Sequence, residues 1–205
     1  AAKRQDYEHA VAAKWHNVPM SPARMMYELA QAIPANAIVV DDAISNRGAL
    51  RHYFKATKRG DIRGARGQSI GAGIGATMGT QCAYPDRPVF GIIGDGSAMM
   101  TIQGLWTAAN DNIPCIFVIC NNGMYRVLKV NFAVYQREIL NASELTGAHL
   151  PYSEFPQPFD VAAIANSMGV HGERIVDPQE IKPAVDRAVA SGKPALLDIV
   201  IDGSM

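Results

Sequence analysis

Short, almost unbroken apolar runs recur along the chain at Ala37–Asp41, Pro88–Ile93, Cys115–Cys120 and Ala195–Ile201. Runs of that length without polar alternation are the pattern of strands buried on both faces. A weaker run, Val170 with Gly172–Val176, suggests a further short strand. Between the runs the apolar period lengthens to that of a helix. Ser21-Pro22 reads as an N-cap and first turn, with Met25, Met26, Leu29, Ala30 and Ile33 on the buried face. Ser45 or Asn46 would cap a helix running through Leu50, Tyr53 and Phe54. Met99, Ile102, Leu105, Trp106 and Ala109 predict a helix over 98–112. The segments 159–168 and 178–191 are helical in spacing and are closed by Gly169 and Gly192. Strand and helix alternate without hairpin signals, which predicts an α/β three-layer sandwich: a mainly parallel sheet covered by helices on both faces.

The remaining stretches carry less pattern. Residues 1–20 are polar with a possible short helix at 6–14, and read as a linker or the remnant of a preceding domain; 21–205 read as one domain. Residues 55–67 are basic and Gly-rich, the composition of a solvated loop, and 67–79 are dominated by small residues that allow close packing. Residues 133–158, with Pro151, Pro156 and Pro158, read as a long irregular excursion of the kind that forms lids or partner contacts. Lys+Arg and Asp+Glu are equal at 19 each, so no electrostatic signature points to nucleic acid or an anionic membrane. No run approaches a membrane span and no signal-peptide pattern opens the chain. Three cysteines, two of them in one apolar run, give no disulfide framework and fit a reducing cytoplasm. Five scattered histidines lack zinc-ligand spacing.

Chemistry concentrates where two apolar runs end. One delivers Gly94-Asp95-Gly96-Ser97 and the other Asn121-Asn122-Gly123. Neighbouring parallel strands would bring these to one sheet edge, where ligands of open α/β sheets sit. Backbone N–H groups of Gly96 and Ser97 at a helix start suit a phosphate. Asp95 would repel that phosphate unless a cation lay between them. A carboxylate, an amide oxygen, a carbonyl and phosphate oxygens make the six-oxygen shell Mg²⁺ prefers. The run Gly71-Ala-Gly73-Ile-Gly-Ala76 mimics a dinucleotide fingerprint, with Asp95 roughly 20 positions on. No strand precedes it, however, so a nicotinamide site is not expected.

The frame GDGS…NN, with Asp95 and Asn122 27 positions apart, resembles the cofactor motif of thiamine-diphosphate-dependent enzymes. The longer frame from Gly94 through Leu105-Trp-Thr-Ala-Ala and Asn112-Ile-Pro to Asn121-Asn-Gly is similar to the benzoylformate decarboxylase-like branch. That resemblance implies the thiamine-diphosphate-binding fold, with Asp95, Asn122 and the Met124 carbonyl as Mg²⁺ ligands. It implies that Ser45 and Asn46 hold the terminal phosphate, that Gly94, Gly96, Ser97 and Tyr125 line the cofactor, and that Ile70 wedges between its two rings. Gln68-Ser69 stands where that branch has two glycines, which leaves the substrate class open. Val127, Leu128 and Phe132 are candidate substrate-pocket residues.

The resemblance implies a lyase, a 2-keto acid decarboxylase or carboligase, working as a homodimer or homotetramer. It implies no catalytic residue in this chain: the activating glutamate belongs to a pyrimidine-binding domain of the same or a neighbouring subunit, so the chain alone is expected to be inactive. Two other readings stay open here. One is a separate small subunit of a split thiamine-dependent decarboxylase or acyl-CoA lyase; the other is a non-catalytic nucleotide-binding module.

Overall fold

The computed structural model describes residues 2–58, 60–64, 69–142 and 150–204, with side chains from residue 8 onward. Six strands form one all-parallel sheet: β1 (Ile38–Asp42), β2 (Ile62–Gly64), β3 (Val89–Gly94), β4 (Ile116–Asn121), β5 (His171–Ile175) and β6 (Ala195–Val200), in the spatial order β2-β1-β3-β4-β6-β5. Alternate residues of each central strand enter two separate cores. Val39, Phe90, Ile92, Ile116 and Val118 face one layer, while Ile38, Val40, Val89, Ile93 and Phe117 face the other. Each side of the sheet therefore needs its own cover, as expected for strands without polar alternation.

Helices α2 (Pro22–Ala32), α3 (Arg47–Tyr53) and α9 (Ile181–Ser191) cover the first core. The opposite core is covered by α4 (Gly73–Ala83), α6 (Gly104–Asn110) and α8 (Val161–Ser167). The expected Ser21 cap of α2 is present, and Asp160, placed inside the 159–168 helix by its spacing, caps α8 instead. Ser21 Oγ accepts the Arg24 N–H at 3.2 Å and Asp160 Oδ1 accepts the Ala163 N–H at 2.9 Å. Gly192 ends α9 in the left-handed region, φ 59°. Helix α1 (Ala2–Ala13) leads to Trp15, whose ring meets Tyr27 edge-on at 5.1 Å.

Four expectations change. The helix expected over 98–112 is two pieces, α5 (Asp95–Ala98) and α6, separated at 99–103. The break follows from Thr101, whose hydroxyl donates to the Gly71 carbonyl at 2.8 Å instead of facing solvent from a helix. Neither Ser45 nor Asn46 caps α3 through a side chain: the two lie in a 3₁₀ turn, 44–46, and the Asn46 side chain makes no cap bond. Within the basic stretch, residues 62–64 form the edge strand β2, and Arg59, Arg66 and Gly67 lie outside the described residues. Helix α7 (Arg126–Glu138) also runs into the segment read as irregular.

Close packing of α4 on β3 depends on Gly91. A Cβ there would meet the Thr77 side chain, at 3.1 Å from its Cβ. Thr77 cannot give way freely, because its hydroxyl bonds the Gly73 carbonyl at 2.7 Å. Gly91→Ala is expected to destabilise by about 1–3 kcal/mol through overpacking. Gly79, with nothing within 4 Å of its would-be Cβ, is the control: Gly79→Ala is expected to be neutral or to stabilise by about 0.5–1 kcal/mol. Urea midpoints check both, and equal shifts would contradict the packing assignment.

Candidate functional site

The chain leaves β1 for β2 at one edge and then crosses to β3 on the other side of β1, so the strand order reverses between β1 and β3. At such a switch point the loops beyond the carboxyl ends of the strands diverge and leave a crevice. The residues after β1, β3 and β4 line it, in a cleft of about 360 Å³ that opens to solvent. All ten residues singled out in the sequence meet there. Ser45 and Asn46 come from the turn after β1, and Ile70 from the turn before α4. Gly94, Asp95, Gly96 and Ser97 follow β3, while Asn122, Met124 and Tyr125 follow β4. Of the substrate-pocket candidates, Val127 lines the cleft, whereas Leu128 on α7 is 47% exposed.

Asp95 is the buried centre of the site, 3% exposed. Its Oδ1 accepts the Gly96 N–H at 2.8 Å, and its Oδ2 accepts the N–H groups of Asn122 at 3.1 Å and Gly123 at 2.7 Å. The carboxylate thus ties the tip of β3 to the tip of β4. Burial pushes its pKa up to about 6 despite the three backbone donors that pull it down, and nearby Asp198 adds to the rise. A desolvated carboxylate is a group whose charge a cation would stabilise.

The two adjacent asparagines divide the work. Asn121 turns inward, its amide donating to Asp198 Oδ1 at 2.8 Å and to the Phe159 carbonyl at 2.9 Å. Asn122 folds over the loop, its Oδ1 accepting the Met124 N–H at 3.1 Å. Residues 150–155 brace this loop from outside. Tyr125 N–H donates to the Ser153 carbonyl at 2.7 Å, Phe155 N–H to the Gly123 carbonyl at 2.8 Å, and Lys129 is paired with Glu154. Tyr125 and Phe155 stack edge-on above Gly96, where a Cβ would clash with the Tyr125 ring and lie 3.2 Å from that of Phe155. Only glycine fits beneath that pair.

Two acids that carried no role in the sequence reading stand at the tip of β1. Asp41 Oδ2 pairs with Arg47 at 2.8 Å, and its Oδ1 accepts the Ala43 N–H at 3.1 Å. Asp42 Oδ2 accepts the Ser97 hydroxyl at 2.5 Å and the Gly73 N–H at 2.9 Å, and burial raises its pKa. The Ser97 side chain is therefore spent within the fold, which leaves its backbone to face the cleft. Ile44, between the acids and Ser45, has φ 48°, a left-handed conformation that a β-branched residue adopts only under constraint. Among the described residues, Asn46 Oδ1 is a buried side-chain atom without a hydrogen-bond partner. A doubled acid at a strand end was the available signal for this cluster.

Residues 42–199 match the family model for the thiamine pyrophosphate enzyme C-terminal TPP binding domain. The chain is 29% identical over 181 residues to benzoylformate decarboxylase of Pseudomonas aeruginosa, covering 88% of this chain and 32% of that protein. It is 34% identical over 170 residues to a Mycobacterium tuberculosis protein provisionally named acetolactate synthase large subunit IlvX, covering 82% of this chain and 32% of that one. The structure of a thiamine diphosphate-dependent 4-hydroxybenzoylformate decarboxylase from Rhodococcus jostii superposes with a TM-score of 0.80 at 30% identity, over 91% of this chain and 33% of the other. The chain thus spans about a third of the length of these relatives. Among the described residues, no helix is long and apolar enough to cross a membrane.

The raised Asp95 pKa has a thermodynamic sign. Its folded value lies above the unfolded one, so the protonated acid favours the folded state below about pH 4, and that contribution is lost as pH rises through 6. Asp42 and Asp198, raised by burial, act in the same direction. In ligand-free protein the Asp95 carboxyl carbon is expected to titrate near pH 6 by NMR. The unfolding free energy is expected to fall by up to about 3 kcal/mol from this group between pH 4 and 7. A midpoint near 4, or stability rising over that range, would contradict the assignment.

Proposed function

The chain belongs to the thiamine pyrophosphate enzymes as their C-terminal cofactor-binding domain, and we propose that it grips the diphosphate of that cofactor through Mg²⁺ for a 2-keto acid decarboxylase of the benzoylformate type. The observation that carries this reading is the convergence of Asp95, Asn122 and Met124 at the tips of β3 and β4, across the cleft from Ser45 and Asn46.

The donor set fits the metal and its ligand. Asp95 offers hard anionic oxygens that burial has stripped of water, and Asn122 Oδ1 keeps a lone pair beyond the one used by Met124. With the Met124 carbonyl they supply the oxygen chemistry that Mg²⁺ takes alongside phosphate and water. The Ser45 hydroxyl and the Asn46 side-chain N–H would donate to the terminal phosphate. Gly94, Gly96 and the Ser97 backbone let that group approach closely, and the Tyr125–Phe155 pair closes the site from above. Ile70, 42% exposed at the cleft, is the apolar prop for the thiamine rings.

When bound, thiamine diphosphate supplies the electron sink that loss of CO₂ from a 2-keto acid requires. The chain's residues bind it, orient it and exclude water. Decarboxylases and acetolactate synthases both occur among the similar proteins, and the decarboxylase reading follows the solved structure that superposes at 30% identity. A pyrimidine-binding domain, from the same or a neighbouring subunit of a homodimer or homotetramer, completes the site. Buried Cys115 and Cys120 and exposed Cys82, all unpaired, suit a cytoplasmic enzyme.

Asp95→Ala in the assembled protein tests the metal grip. Losing a direct ligand is expected to weaken Mg²⁺-dependent thiamine diphosphate binding by at least the roughly 10–100-fold that a supporting contact costs. Titration calorimetry reads the affinity and far-ultraviolet circular dichroism checks the fold; unchanged affinity in a folded variant contradicts the assignment. The 205-residue chain alone, given cofactor, Mg²⁺ and benzoylformate, is expected to show no turnover. Measurable aldehyde release would refute the need for a second domain.

A further inference from the structure

Ile70 is a large apolar side chain, 42% exposed, at the mouth of a polar cleft. With 42% of its surface open, its position depends in part on the backbone that carries it. Gly71 is held at three points. Its N–H donates to Ser97 Oγ at 2.8 Å and its carbonyl accepts the Thr101 hydroxyl at 2.8 Å. Its φ of 91°, with a would-be Cβ 2.9 Å from that of Met100, leaves room for no other residue.

Ser97 can accept the Gly71 N–H in a fixed geometry only because its own proton is committed elsewhere. That proton goes to Asp42 Oδ2 at 2.5 Å, a short charge-assisted bond. The same Asp42 oxygen accepts the Gly73 N–H at 2.9 Å, and a Cβ on Gly73 would lie 2.8 Å from that of Asp42. Both Asp42, 2% exposed, and Ser97, 4% exposed, are shut off from water. One carboxylate therefore links the end of β1, the Ile70 turn, the start of α4 and α5.

We propose that Asp42 is the positioning residue that sets Ile70 against the thiamine rings, acting through the Ser97 hydroxyl and the Gly71 amide. This rests on the cofactor reading above and adds to it a residue that touches neither cofactor nor metal. Its effect falls on the thiamine half of the ligand. The diphosphate half is held by Asp95, Asn122 and Met124, none of which is among the hydrogen-bond partners of Asp42, Ser97 and Gly73.

The test compares two ligands on the assembled protein by calorimetry in Mg²⁺: thiamine diphosphate and inorganic pyrophosphate, which lacks the rings. Asp42→Ala is expected to weaken thiamine diphosphate about tenfold or more and to leave pyrophosphate within about twofold. Ile70→Ala should give the same selective loss. The double variant Asp42→Ala/Ile70→Ala should bind thiamine diphosphate no more weakly than Ile70→Ala alone, since residues acting in series are non-additive. Asp42→Asn, which keeps an oxygen for both donors, should recover most of the affinity. If Asp42→Ala does not fold, Ser97→Ala breaks the same link while sparing the Gly73 bond, and the same selective loss is expected. Equal weakening of both ligands, no weakening of either, or additive losses in the double variant would overturn the proposal. Wild-type protein that binds neither ligand would instead overturn the cofactor reading on which it rests.

Discussion

One buried carboxylate joins the halves of this domain's ligand-binding edge. Asp95 takes N–H groups from its own helix start and from the loop after the neighbouring strand, so the ends of β3 and β4 cannot move apart without stranding donors in the interior. The bonds hold a charge where water is scarce, and the raised pKa records the cost of doing so. On the proposed reading, a cation at the cleft would relieve that cost. The same residue thus braces the loops and makes them receptive to a metal.

The sheet explains how such a group can be built. Its central strands are buried on both faces and turn polar at their carboxyl ends: Asp41-Asp42 closes β1, Gly94-Asp95 spans the end of β3 and Asn121-Asn122 the end of β4. Parallel pairing in register, Asp42 beside Ile93 and Gly94 beside Cys120, sets these polar tips at one level. Reversal of strand order between β1 and β3 then opens the space between them. Deeper anchors keep the strand ends aligned. Asp198 on β6, fully buried, accepts Asn121 Nδ2, the Val161 N–H and Arg174, and so locks β4 to its other neighbour.

What could be read beforehand followed from patterns that one sequence displays. Unbroken apolar runs marked the central strands, and a carboxylate and an amide at the ends of two of them marked the cleft edge. What escaped were roles fixed by partners distant in the chain. Asp42 reads as an ordinary polar residue after a strand; only the fold brings Ser97, 55 positions away, into its reach. The break between α5 and α6 escaped because Met99, Ile102 and Leu105 keep helical spacing across it, while the Thr101–Gly71 bond that interrupts it is long-range. Strand β2 escaped because it is a half-exposed edge strand of three residues in a basic, Gly-rich stretch. Asn46 matched the chemistry of a cap, yet the 3₁₀ turn before α3 carries its side chain into the interior instead.

The central claim is that Asp95, Asn122 and the Met124 carbonyl share one divalent ion with the cofactor. A crystal structure of the assembled protein with thiamine diphosphate and Mn²⁺ in place of Mg²⁺ tests it most directly, because anomalous scattering locates the ion independently of the protein. The account predicts one anomalous peak within about 2.0–2.3 Å of an oxygen from each of the three residues and of phosphate oxygens. A peak elsewhere, or a bound cofactor with those three oxygens facing no ion, would contradict it.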